Sequence, residues 1–200
     1  MNSNKSLEVQ SERIVRLLRE TGARFALIGG IAVSYRSVER TTKDIDLAIA
    51  VESDSEAETL VRTLTGRGYR IATVIEQDEA DRLSTVRLVS QVDVEIQVDL
   101  LFASSGIEPE VVSAADEIEV FPNVSMPVAD RASLIALKVL SANTKSRLKD
   151  ILDLQNLLKN VLPNEIEEAR NLLNLITERG YNRKKDLQKD LDSYIEQFKT

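Results

Sequence analysis

Two nearby stretches decide how this chain is read: Ala26-Leu-Ile-Gly-Gly-Ile-Ala-Val33 and Arg40-Thr-Thr-Lys-Asp-Ile-Asp-Leu47. The first continues a short apolar run from Arg24 to Ile28, the pattern of a buried strand. It passes through Gly29-Gly30 into Ile31–Ser37, which suggests a short helix. A glycine pair at such a junction lets a phosphate approach the backbone closely, and the unpaired N–H groups of a helix start favour an anion. The same pair also suits a plain tight turn. In the second stretch Asp44 and Asp46 alternate with Ile45, Leu47 and Ile49 along a strand expected over Lys43–Val51. Carboxylates two residues apart on a strand share a face, about 7 Å apart at the backbone. They repel unless a metal or a basic partner neutralises them. Such a pair can converge on one hard cation or hold two cations against phosphates; a solvent-exposed polar face is the plainer alternative.

Working outward, Leu7–Glu20 has helical spacing, with Leu7, Ile14, Leu17 and Leu18 able to share a face and Gly22 suited to the C-terminal cap. An acidic helix is expected from Ser53 to Thr65, broken by Gly66 and Gly68, and then a strand over Tyr69–Ile75. Ser84–Phe102 reads as two strands with a turn near Ser90-Gln91. In the second, Val92, Val94, Ile96, Val98 and Leu100 take one face, while Asp93, Glu95, Gln97 and Asp99 take the other. After Ser104-Ser105-Gly106 an irregular stretch carries one more strand, at Ile118–Phe121. From Asp130 sheet signals fade, and helices are expected at 130–142, 147–160, 164–178 and 184–198. In the second of these, Leu148, Ile151, Leu152, Gln155 and Leu158 mark an apolar stripe broken by one polar residue. Leu187, Leu191, Tyr194, Ile195 and Phe198 keep helical spacing in the last. The expected organisation is α+β: a catalytic half over residues 1–127, followed by a helical region over 128–200.

Composition narrows the chemistry. The 200 residues are 42% hydrophobic and 30% charged, the mix of a soluble globular protein. No apolar run approaches the ~20 residues of a membrane span, and the N-terminal stretch lacks the apolar core of a signal peptide. A cytoplasmic protein with no membrane association is expected. Cysteine and histidine are both absent. That removes disulfides, thiolate and imidazole catalysis, Ser-His-Asp triads and ordinary zinc sites. Any metal must be held by oxygen, which points to Mg²⁺ or Mn²⁺. The formal charge of −7 argues against a large basic footprint for nucleic acid. One basic cluster near the C-terminus, Arg179, Arg183, Lys184 and Lys185, reads as a solvated helix start more readily than as an RNA contact.

Strand, Gly-Gly, short helix and Asp-x-Asp on the following strand together resemble the polymerase-beta-like nucleotidyltransferases, and within them the AbiEii/AbiGii-type toxin nucleotidyltransferases. The resemblance spans about residues 24–158. It implies a small mixed sheet flanked by helices, with Asp44, Asp46 and a third acid, Asp99, as catalytic and metal-holding residues. Asp99 is singled out from Asp93 and Glu95 on the same face only by that resemblance. In Leu134-Ile-Ala-Leu-Lys138 and Arg147-Leu-Lys-Asp150-Ile-Leu-Asp153 the chain is similar to a helical signature of these relatives, whose lysine and acid face the nucleotide. Lys138 matches the lysine, and Asp150 or Asp153 the acid. Gly29 and Gly30 would take phosphate, while Arg40, Lys43 and Arg36 would contact phosphates or pair with the chain's many acids. The implied reaction is Mg²⁺-dependent transfer of a nucleoside monophosphate from an NTP to a tRNA 3′ end, a protein hydroxyl or a small molecule. The implied setting is a toxin held in check by an antitoxin protein; a catalytically inactive binding or regulatory protein is the alternative. Many family members carry Gly-Ser where this chain has Gly29-Gly30 followed by Ile31 and Ala32, so a serine hydroxyl contact to phosphate is missing.

Overall fold

Helix α1 (Ser3–Glu20) is stopped by a residue that only glycine fits comfortably. Gly22 has φ +71°, and the Gly22 and Ala23 N–H groups donate back to the Arg19 and Leu18 carbonyls at 3.1 Å each, closing a Schellman motif. That turn sends the chain directly into β1 (Arg24–Ile28), whose last four residues are buried. The computed structural model describes residues 3–39, 41–77, 82–91, 96–142 and 148–198. Leu7, Ile14, Leu17 and Leu18 share the buried face of α1, as their spacing predicts.

After β1 come α2 (Gly29–Arg36), β2 (Asp44–Ala50), α3 (Asp54–Thr65), β3 (Tyr69–Gln77), β4 (Arg82–Ser90) and β5 (Gln97–Leu101). Ser53 caps α3 by accepting the Glu56 N–H, while the Glu56 carboxylate accepts the N–H of Glu52, one residue before the cap. Then follow α4 (Glu108–Ser113), β6 (Asp116–Phe121), β7 (Val124–Val128), α5 (Arg131–Ser141), α6 (Leu148–Leu158), α7 (Pro163–Glu178) and α8 (Leu187–Phe198). The strands form one mixed seven-stranded sheet in the order β3-β4-β5-β2-β1-β7-β6. The β2–β5 and β1–β7 pairs are parallel; the other neighbours run antiparallel. The α+β architecture with a helical C-terminal region is as expected. The late helices share one apolar core with the sheet: Leu134, Ile135, Val139, Leu154, Leu157, Leu173, Ile176 and Leu191 join Leu27, Leu47 and Leu100.

Three elements differ from the reading of the sequence. Strand β7 and helix α4 fall in the stretch expected to be irregular. The β7 segment is five residues long and includes Pro127, so its pattern is too short and too broken to announce a strand. The β6–β7 turn places Asn123 at φ +63°, a conformation asparagine tolerates better than most residues. The apolar stripe read along α6 is the third. Leu148 and Leu152 are exposed, and the buried face carries Asp150, Asp153, Leu154, Leu157 and Leu158. Leu158 of that stripe is buried, but the two buried acids turn the inner face away from Leu148 and Leu152. The proposed alternation of Val92, Asp93, Val94 and Glu95 lies outside the described residues; Ile96, Val98 and Leu100 are buried as predicted.

Candidate active site

The parallel pairing of β2 with β5 sets Asp44 beside Gln97 and Asp46 beside Asp99. Ile45 and Leu47 point the other way and are fully buried, so the strand is anchored by one face while its acids line the other. Asp44, Asp46 and Asp99 thus border one cleft of about 860 Å³, walled by Gly29, Gly30, Thr41, Thr42, Lys43, Lys138, Lys149, Asp150 and Arg183 among others.

Gly29 is required here by two independent constraints. Its φ is +66°, and a Cβ built on it would lie 1.9 Å from Oδ2 of Asp46. The adjoining Gly30 N–H donates to the Asp46 carboxylate. The glycine junction thus closes on Asp46 and holds its carboxylate, while both glycines also line the cleft. Burial, and then the charges of Asp99 and Asp44, push the Asp46 carboxyl up to about 6, against the pull of Lys138 and the Gly30 N–H. Close-set carboxylates that resist joint ionisation form a place that a cation would relieve.

Arg87, which the sequence reading did not single out, answers part of that charge. The antiparallel β4–β5 register sets it opposite Asp99, and its Nε and Nη2 donate to Oδ1 and Oδ2 at 2.7 Å each. This hydrogen-bonded pair, and then the charges of Asp99, Asp44 and Asp46, raise the Arg87 pKa still further above its ordinary value. The sequence signal is slight, an arginine between Val86 and Leu88 in a strand that also carries Arg82, Ser84 and Thr85, and its partner depends on cross-strand register.

On the helical side Lys138 of α5 lies between two acids of α6, with Nζ 2.6 Å from Asp150 Oδ1 and 2.7 Å from Asp153 Oδ2. The structure thus brings the lysine and both candidate acids together, and Lys138 and Asp150 line the cleft. Lys43 is exposed on the same wall. Arg40 lies outside the described residues. Arg36 is turned away: it pairs with Asp116 at 2.8 Å and donates to the Val128 and Ala129 carbonyls.

The basic cluster read as a solvated helix start has a different role. Arg179 forks onto Glu110, and Lys185 donates to the Leu140 and Ala142 carbonyls at 2.9 and 2.6 Å, capping the C-terminus of α5. Arg183 and Lys184 both adopt left-handed φ, 54° and 60°, and Arg183 reaches the cleft while donating to the Ser104 carbonyl. Arg179 and Arg183 tie the C-terminal region to the loop after β5, and Lys185 ties it to α5.

Asp44, Asp46 and Asp99 are the side chains that suit a divalent ion: all are oxygen donors, as Mg²⁺ and Mn²⁺ require, and their mutual repulsion favours a cation. As placed, no three acids among the described residues form a finished ligand set. Asp99 already has both oxygens on Arg87.

Residues 15–199 match the model of the nucleotidyl transferase AbiEii toxin family, a type IV toxin–antitoxin system. Among solved structures, an antigenic nucleotidyltransferase-like protein from Paracoccidioides brasiliensis is 17% identical, with 94% of this chain and 93% of that chain covered and a TM-score of 0.50. A nucleotidyltransferase candidate from H. pylori is 16% identical, with 98% and 93% covered and a TM-score of 0.50. At these identities the likeness concerns the fold. No curated protein matches. The family match spans nearly the whole chain, including the last forty residues for which the sequence reading had no counterpart, and the chain belongs to the AbiEii nucleotidyltransferase toxin family.

Proposed function

We propose that this chain is a Mg²⁺-dependent nucleotidyltransferase that moves a nucleoside monophosphate from an NTP to an acceptor hydroxyl. The observation that carries the reading is the meeting of Asp44, Asp46 and Asp99 on one face of adjacent strands, at a cleft that also receives Lys138. Asp44 and Asp46 are the residues that would hold the ion. Bound there, Mg²⁺ (or Mn²⁺) would supply positive charge that offsets the negative charge of the triphosphate and of the departing pyrophosphate.

The chain's own groups do the rest. Asp99, once released from Arg87, would either help hold a second ion or take the proton from the acceptor hydroxyl. The acceptor oxygen forms its bond to the α-phosphorus, the bond from that phosphorus to the bridging oxygen breaks, and pyrophosphate leaves. Lys138 and Lys43 stand on the cleft wall where they would stabilise phosphate charge. Gly29 and Gly30 contribute by holding Asp46 in position. Catalysis of this kind is mostly positioning and charge neutralisation.

The acceptor is proposed to be a tRNA 3′ end, a protein hydroxyl or a small molecule, and the biological setting a toxin with an antitoxin partner, as the family description suggests. Incubation with each α-labelled NTP, Mg²⁺ and pools of the three acceptor classes tests the reaction. Label should move to one class with wild type and not with Asp46→Ala. Growth arrest on expression, relieved by Asp46→Ala, tests the toxin role. A second reading, an inactive nucleotide-binding or regulatory protein, is favoured by Gly29-Gly30 in place of Gly-Ser and by the occupied state of Asp99. It predicts metal-dependent nucleotide binding with no label transferred to any acceptor.

A further inference from the structure

Asp99 cannot serve a metal and Arg87 equally at the same moment. Both of its oxygens accept from the Arg87 fork at 2.7 Å, the two-point geometry that makes an arginine–carboxylate pair strong. An ion held by Asp44 and Asp46 would approach Asp99 from the cleft and meet the guanidinium there, cation against cation.

The two partners differ in freedom. The Asp99 side chain is 12% exposed and sits on a strand paired on both sides, whereas the Arg87 side chain is 41% exposed and borders the open cleft. The acid is the fixed member, and the arginine is the one able to turn without disturbing the core. A nucleoside triphosphate brings several negative oxygens into that cleft. Phosphate offers a guanidinium the same planar, two-point match as a carboxylate.

We propose that Arg87 is an exchange residue: it holds Asp99 while the cleft is empty, then releases it to the metal and transfers its fork to the phosphates of the incoming nucleotide. The proposal rests on the metal-site reading given above. It makes Arg87 a positioning residue for Asp99 and a binding residue for the triphosphate. It also makes metal and nucleotide mutually dependent, since neither alone compensates both halves of the broken pair. Metal binding without nucleotide is held down by Arg87, and nucleotide binding is strengthened by it.

The test measures two affinities in each of four proteins. These are Mn²⁺ alone, followed by the electron paramagnetic resonance signal of the free ion, and each of the four NTPs with saturating Mg²⁺, followed by calorimetry. The proteins are wild type, Arg87→Ala, Arg87→Lys and Asp46→Ala, each checked by circular dichroism. Arg87→Ala should bind Mn²⁺ alone about fivefold more tightly, because a competing cation is gone, and NTP about tenfold more weakly, because a phosphate partner is gone. Arg87→Lys keeps the charge without the fork and should fall between wild type and Arg87→Ala on both scales. Opposite shifts cannot arise from general loosening of the site, which weakens both. If wild type binds metal and NTP through Asp46 but Arg87→Ala shifts the two affinities together or not at all, the exchange is wrong while the metal site stands. If neither wild type nor Arg87→Ala binds Mn²⁺ more tightly than Asp46→Ala does, the metal-site reading fails and the exchange with it.

Discussion

Two clusters of charge border the cleft, and each sets acids around a single cation. On the sheet, Arg87 forks onto Asp99, with Asp44 and Asp46 on the same cleft; on the helices, Asp150 and Asp153 flank Lys138. Their difference lies in exposure. The Lys138, Asp150 and Asp153 side chains are 12%, 8% and 1% exposed, while that of Arg87 is 41% exposed. The helical cluster is nearly closed to solvent and ties α5 to α6, although Lys138 and Asp150 still face the cleft. The sheet cluster is more open, with three acids to one arginine against two acids to one lysine, and a cation entering the cleft would relieve its surplus charge. Similar side chains therefore carry different burdens: breaking the closed cluster should cost folding, and breaking the open one should cost binding.

The largest stability effect is expected from Lys138→Ala. It leaves two buried carboxylates without their common partner, and removing one member of a buried ion pair costs about 3–5 kcal/mol. Denaturant unfolding at pH 7.5 measures it. A loss below about 1 kcal/mol would mean that the helical cluster is no lock, and the comparison would collapse.

Gly29→Ala comes next. The new methyl would meet Asp46 Oδ2 at 1.9 Å in a left-handed backbone, at a cost of about 2–4 kcal/mol from strain and overlap together. The same substitution should also displace Asp46, so metal-dependent nucleotide binding should fall by more than the stability loss accounts for. If binding survives intact, Gly29 does not position Asp46.

Asp46→Asn should act in the opposite direction on stability. The folded carboxyl titrates at about 6, above its ordinary 3.8, so the folded state binds the proton more tightly than the unfolded chain does. Below pH 4 both states are protonated and the shift has no effect. As pH rises from 4 through 6, wild type loses stability, on the order of 2 kcal/mol by pH 7. Asparagine does not ionise, so in metal-free buffer Asp46→Asn should be more stable than wild type at pH 7 and about equal to it near pH 4. A variant less stable than wild type at pH 7 would show that the sheet cluster carries no surplus charge.

The smallest effect belongs to Lys185→Met. It removes the donors that cap the last carbonyls of α5 and should cost about 1 kcal/mol. A cost near zero would mean that solvent caps the helix as well as Lys185 does.

Those contrasts also explain what the sequence made legible. On β2 the two-residue period that puts Ile45 and Leu47 inside puts Asp44 and Asp46 on the cleft side, so fold and candidate site could be read from the same few residues. On α6 the corresponding rule misled. The helix buries Asp150 and Asp153 and exposes Leu148 and Leu152, because pairing with Lys138 outweighs the burial of two leucines. Periodicity records apolarity, and a satisfied buried acid has none. Arg87 was hidden for another reason. Its role depends on the register of β4 against β5, a long-range relation that neither strand's own pattern contains. The same holds for Lys185, whose partners are carbonyls more than forty positions earlier in the chain.

The open acid cluster is proposed to hold a metal-bound nucleotide. Calorimetric titration of each NTP with Mg²⁺, into wild type and into the Asp44→Ala/Asp46→Ala double variant, tests it most directly. Wild type should bind at least one NTP, binding should disappear when Mg²⁺ is withheld, and the folded double variant should not bind. Well-folded wild type that binds no NTP, or binds one equally well without Asp44 and Asp46, would contradict the proposal.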